Sequence, residues 1–153
     1  MKFLYLVGGI LGNPIELIVV DTKSDPLVAA ERARELVGRH GVDVLLGTGT
    51  SAETLAAISP ATNGKVPFFY SLDGEIKTCS KHDGNTVNPY VFGSGFTERM
   101  VVPPLFSALK ELIGDDVASP KVYFIGGDYI YPRVTNEFAI EVARELGFEV
   151  VGE

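Results

Sequence analysis

A single cysteine, Cys79, leaves the chain without an intrachain disulfide and without a cysteine metal site. Histidine is nearly as scarce. His40 and His82 lie far apart, and neither belongs to a His-Glu-x-x-His pattern. There is no Walker-type phosphate loop, no G-x-G-x-x-G opening a helix and no G-x-S-x-G elbow. Those gaps remove the usual signatures of nucleotide-dependent and serine-hydrolase chemistry and weaken an enzyme reading. No apolar run reaches the ~18 residues that mark a bilayer span, so no direct membrane insertion is expected. Positive charge is in deficit: the formal charge of -7 offers a phosphate backbone no electrostatic footprint, and nucleic acid is not an expected partner. Low-complexity tracts are absent too.

What remains is globular. The 153 residues are 46% hydrophobic and 22% charged, enough for one ordinary domain with a real core. Residues 1–7 carry one basic residue and a short apolar stretch, but they run into the turn cluster Gly8-Gly9-Ile-Leu-Gly-Asn-Pro14 without a small-residue cleavage site. They are therefore not read as a secretory signal.

The stretch from Val44 to Leu55 anchors the chain. Residues 42–46 form a short apolar run, the mark of a strand buried on both faces. Gly47-Thr48-Gly49 breaks it. Thr50 and Glu53 then stand at capping-box spacing ahead of Leu55, Ala56 and Ile58. A helix starting at the carboxyl end of a parallel strand is where open α/β sheets bind ligands, and its N-terminus favours anions or carbonyl oxygens. The alternative is that Thr50 and Ser51 only cap a helix.

Other elements follow from the same patterns. Residues 15–20 read as a strand ending in Asp21. Asp25-Pro26 opens a helix whose apolar stripe is Leu27, Ala30, Ala33, Leu36 and Val37. Pro60 is expected to end the anchor helix, and residues 66–70 form the next strand. Residues 71–88 are the least regular region, and a loop of that length is usually functional or mobile. Residues 90–92 read as a short strand. Residues 97–113 read as a helix burying Met100, Val101, Leu105, Leu109 and Leu112, with Pro103-Pro104 at a start or a kink. After a polar linker, residues 121–126 read as a buried strand with Tyr123 in the core. Thr135 or Asn136 is expected to cap a helix that turns Phe138, Ala139, Val142, Ala143 and Leu146 inward, and residues 148–151 close the chain as a strand. The alternation of strands and helices means α/β with mainly parallel pairing, a doubly wound sheet.

Hydroxyls and aromatic rings gather at predicted strand ends: Thr50 and Ser51, Tyr70 and Ser71, Tyr129 and Tyr131. Such groups hold small polar ligands inside an apolar shell. They supply neither a base nor an activated nucleophile. Asp21, Asp73 and Asp128 are better read as solvated loop acids than as a metal set, and no metal or cofactor is expected.

The run Phe124-Ile-Gly-Gly-Asp-Tyr-Ile-Tyr-Pro-Arg133, followed by Thr135-Asn136, resembles the type I periplasmic binding proteins. It is most similar to the amide- and urea-binding branch of the branched-chain amino acid group. Gly8-Gly9-Ile-Leu-Gly-Asn-Pro-Ile-Glu-Leu17, Val20-Asp21-Thr22 and Ser24-Asp25-Pro26 resemble the segment entering that family's second strand. The resemblance covers nearly the whole chain. It implies that Ser51 binds the polar head of the ligand, that Tyr70 walls the pocket and that Tyr129 and Tyr131 close from a second lobe. Leu72 stands where some amide binders carry threonine, and the lone Cys79 departs from receptors with a disulfide.

Members of that family have two lobes and are much longer. The resemblance therefore implies part of a receptor: residues 1–118 as most of a first lobe lacking its first strand and helix, and residues 119–153 as the first strand–helix–strand of a second lobe. A strand missing from inside the sheet would leave an exposed edge. The implied role is non-catalytic solute binding for an ABC importer, with an amide, urea or a branched-chain amino acid as ligand and a permease as partner. The implied location is periplasmic or extracellular. A cytoplasmic amide-sensing regulator of amidase expression and a small α/β enzyme are the alternatives.

Overall fold

The computed structural model describes residues 9–70, 88–95, 97–114 and 116–153. Its architecture is α/β with parallel strands, held around two apolar clusters.

Helix α1 (Pro26–Glu35) begins where Asp25 accepts from the Leu27 and Val28 amides at 2.7 and 3.2 Å, with proline at the first turn. Its buried seam is Ala29, Ala30 and Ala33. Alanines let α1 sit close on its neighbour, so the seam is narrow. Leu27, expected in the stripe, falls outside it and is 81% exposed. A π-helical turn (Leu36–His40) follows and ends at Gly41, whose φ of 62° is left-handed.

Strand β1 (Leu45–Leu46) leads to helix α2 (Ser51–Gly64), then β2 (Phe68–Tyr70) and β3 (Val91–Gly93). All pairs are parallel, in the order β1-β2-β3. The register sets Leu45, Phe68 and Val91 in one row, which joins Ala33, Ala57, Ala61 and Tyr70 in the first cluster. The next row, Leu46, Phe69 and Phe92, is 73, 40 and 43% exposed. The anchor strand is thus buried on one face, not both: the helices described here cover only the Leu45 side. Pro60 does not end α2. It lies inside the helix with its ring buried, and its missing N–H leaves the Ala56 carbonyl without its usual donor. The helix stops instead at Lys65, in the left-handed region at φ 56°.

Residues 15–20 do not form the expected strand. They are extended but join no ladder, because β1, the next strand in sequence, pairs with β2 on one edge and with nothing described on the other. Just before them, Ile10 and Asn13 exchange two backbone bonds of 2.9 Å around Leu11-Gly12.

The second cluster is built from helix α3 (Glu98–Ile113), strand β4 (Lys121–Tyr123), helix α4 (Ile130–Glu145) and strand β5 (Glu149–Gly152), with β4 and β5 parallel. Helix α3 buries Val102 and Phe106 and half-buries Leu109, whereas Met100, Val101, Leu105 and Leu112 face outward. The helix carries two apolar stripes, and the aromatic one wins. Phe106 meets Phe148 edge-on at 5.3 Å and Phe124 at 6.1 Å. Pro103 and Pro104 sit within α3. Tyr123 is not core. It is 59% exposed, and its ring lies so close over Gly152 that a Cβ there would stand 2.4 Å from it. Phe124 takes the buried place instead. Helix α4 begins at Ile130, ahead of the expected caps, so Thr135 and Asn136 lie inside it while Ala139, Val142 and Ala143 are buried as anticipated.

Candidate functional site

The turn between β1 and α2 is held by a cluster of hydroxyls around one carboxylate. Thr50 is extended, at φ -141° and ψ 156°, and its hydroxyl accepts from the Glu53 amide at 3.3 Å. That is half of a capping box. Glu53 does not complete it by reaching back to the Thr50 amide. Its carboxylate accepts from the Thr50 hydroxyl at 2.8 Å and from the Thr22 hydroxyl, and the residue is only 2% exposed. Thr48 and Thr54 hydroxyls bond to each other beside it. Glu53 therefore ties the loop after residues 15–20 to the first turn of α2. Sequence spacing reveals the Thr50–Glu53 pair but not Thr22, which lies 31 residues away.

Ser51, the first residue of α2, is 4% exposed, and its Oγ has no hydrogen-bond partner among the described residues. A buried hydroxyl without a partner costs free energy, about 1–3 kcal/mol. Here it sits beside the free amides of a helix start, where an anion or a carbonyl oxygen is favoured.

The other expected site residues are placed as follows. Tyr70 ends β2, and its ring belongs to the first core cluster, 2% exposed and 6.2 Å from the Phe68 ring. Ser71 lies outside the described residues, as do Leu72, Asp73, Cys79 and His82. Tyr129 precedes α4 and is 57% exposed; Tyr131 is half-buried in the first turn of α4 rather than in a loop. Helices α2 and α4 approach within 8 Å between Cα atoms. Among the described residues, no hydrogen bond or ring contact joins Tyr129 or Tyr131 to Thr50 or Ser51. All these residues nonetheless follow the carboxyl ends of parallel strands, the end where such sheets bind ligands.

Sequence reasoning did not find a cavity of about 360 Å³ at the carboxyl end of β4, lined by Phe124, Gly126, Asp128, Arg133 and Asn136 among others. Gly126 has little room to spare, since a Cβ there would stand 2.9 Å from Pro132 and 3.1 Å from the Asn136 amide. Arg133 closes one side, with its Nε donating to Asp128 at 2.7 Å. Two adjacent glycines before Asp128 were the available signal, since paired glycines often mark a close approach. Among the described residues, no group of His, Cys, Asp or Glu could hold a metal ion, and no helix is long and apolar enough to cross a membrane.

The sequence profile of the periplasmic binding protein family matches residues 4–153. The fold is also similar to solved receptors. A solute binding protein of an ABC transporter from Rhodopseudomonas palustris BisB5, solved with 3,4-dihydroxy benzoic acid, is 25% identical at a TM-score of 0.80, over 98% of this chain and 39% of that one. A periplasmic binding protein from Burkholderia mallei is 25% identical at 0.80, over 97% and 37%. A leucine binding protein, LivK, from Thermotoga maritima MSB8 shares the fold at 0.80 with 24% identity, over 98% and 40%. This chain thus spans about two fifths of the length of the solved relatives it matches. A parallel α/β frame, a polar helix start at a strand's carboxyl end and a profile match along almost every residue agree: the chain belongs to the periplasmic binding protein family.

Proposed function

We propose that this chain forms part of a solute receptor that holds a small carbonyl- or carboxylate-bearing molecule at the first turn of α2 and delivers it to an ABC permease, without chemistry of its own. The observation that carries the reading is the Ser51 hydroxyl, buried and without a partner at a helix start. A ligand oxygen would relieve it and would also take the exposed amides beside it. The titles of solved relatives name leucine, isoleucine and 3,4-dihydroxy benzoic acid as ligands, and each carries a carboxylate. An amide or urea offers the same carbonyl acceptor, so the ligand class spans branched-chain amino acids, small amides and urea. Tyr129 and Tyr131 would close over it from the α4 side, while Tyr70 would support the floor from within the core. Work in the periplasm or outside the cell follows from the same reading. The division between the two lobes falls in the short stretch between β3 and α3 rather than at residue 118, because α3 buries Val102 and Phe106 with the second cluster.

Calorimetry with leucine, 3,4-dihydroxybenzoate, acetamide and urea tests the proposal. On the chain alone, heats near the blank are expected, since a ligand covered from one side keeps much of its solvation and gains little from ordering the loops around it. In a protein of the relatives' full length that carries this chain, at least one of the four should bind. Ser51→Ala should then weaken it about 10- to 100-fold, the usual effect of losing a hydrogen bond to a charged group. Reproducible turnover of the amide instead of binding would overturn the non-catalytic reading.

A further inference from the structure

Residues 15–20 run extended, and no backbone hydrogen bond reaches any of them among the described residues. Ile15, Ile18 and Val20 are half-buried, so the segment lies against the body of the protein with its donors and acceptors unused. Strand β1 has an unused edge as well. It is outermost in the order β1-β2-β3, and its Leu45 and the following Gly47 donate toward Pro67 and Phe69 at 2.9 and 3.1 Å. Alternation along the strand turns the backbone groups of Val44 and Leu46 to the other side, where they meet no described partner.

The two unused edges belong to one layer. Thr22, just past the extended segment, donates to Glu53 in the first turn of α2, just past β1, so both runs end at the same end of the fold. Helix α1 links them and packs along α2, which places the two runs parallel. Parallel runs at the usual spacing of about 4.8 Å would share a ladder. These do not.

We propose that the gap between residues 15–20 and β1 is a docking site for one extended apolar polypeptide strand, which completes the sheet through the backbone groups on both of its own edges. This is a site for polypeptide and is separate from the solute site. A strand there would be covered by α1 and α2 on one face and would continue the apolar row of Leu46, Phe69 and Phe92 on the other. Strands so placed read as near-continuous Val, Ile and Leu. The solved relatives have most of their length outside the matched region, so the occupant is a strand from polypeptide beyond residues 9–153.

Amide hydrogen exchange on the whole chain, with and without the peptide Lys-Val-Ile-Val-Ile-Val-Lys, tests the site. The amides of residues 15–20, Val44 and Leu46 should exchange quickly alone and slow at least tenfold with the peptide. A control with proline at its centre should leave them fast. Val44→Pro should keep the melting temperature of the chain alone, because that N–H has no acceptor to lose, and should abolish the protection. Slow exchange at residues 15–20 in dilute chain without peptide would overturn the proposal. So would protection at the β3 or β5 edge in place of β1, or protection that rises with protein concentration as a dimer forms.

Discussion

Ser51 carries a hydroxyl that the described protein does not use, next to a Thr50 hydroxyl that it uses twice. The two should therefore answer differently to alanine. Thr50→Ala removes a cap and should cost about 0.5–2 kcal/mol in urea unfolding. Ser51→Ala removes an unpaired buried group and should change stability by less than about 0.5 kcal/mol in either direction. A loss of about 2 kcal/mol or more from Ser51→Ala would mean that the hydroxyl has a structural partner. On the surface, Arg32 donates to Glu35 at 2.7 Å and holds its carboxyl below the ordinary value; Arg39 and His40 add to this, while partial burial opposes it. The stabilisation from this pair is present above the ordinary carboxylate value and fades as pH falls through the lowered one. It is solvent-screened and small. Arg32→Gln should move the Glu35 titration upward in carbon-detected NMR, and an unmoved midpoint would refute the pairing. At this scale the sequence is legible where chemistry is local. Thr50 and Glu53 are three apart and cap one turn, whereas Thr22 and the burial of Tyr70 depend on how distant strands lie.

Helix ends and helix faces separate what periodicity can say from what it cannot. Helix α2 runs through Pro60 and ends at Lys65, an L-residue at φ 56°. Left-handed backbone costs a non-glycine residue about 1 kcal/mol, so Lys65→Gly should raise stability by about that amount in urea or thermal unfolding. A decrease would show that the Lys65 side chain contributes contacts that outweigh the strain. In α3, the stripe of Val102, Phe106 and Leu109 and the stripe of Val101, Leu105 and Leu112 have the same helical period. The sequence alone cannot choose between them. The choice was made by Phe124 and Phe148, which arrive from elsewhere in the chain. Residues 15–20 teach the complementary lesson: β-rich composition predicts an extended backbone, but a strand needs a neighbour.

Across the whole molecule, two apolar clusters divide the work. Phe106→Ala should cost about 3–5 kcal/mol and act on the second cluster. Amide exchange should rise in α3, α4 and β5 while β2 and β3 keep their protection. Equal loss in both sheets would show that the clusters unfold as one. The α/β class and its parallel pairing were legible because strand and helix patterns alternate along the chain. The open faces were not, since coverage is decided by elements that periodicity cannot locate. Strand order also has a consequence in time. Each paired strand lies beside the one next to it in the chain, β1 with β2, β2 with β3, and β4 with β5. A chain emerging from a ribosome at about 5–20 residues per second could close β1 on β2 before β3 had been made. The one segment outside that progression is residues 15–20, which emerge earlier than any strand described and must wait, with their backbone in water, for a neighbour that later synthesis of these residues does not bring.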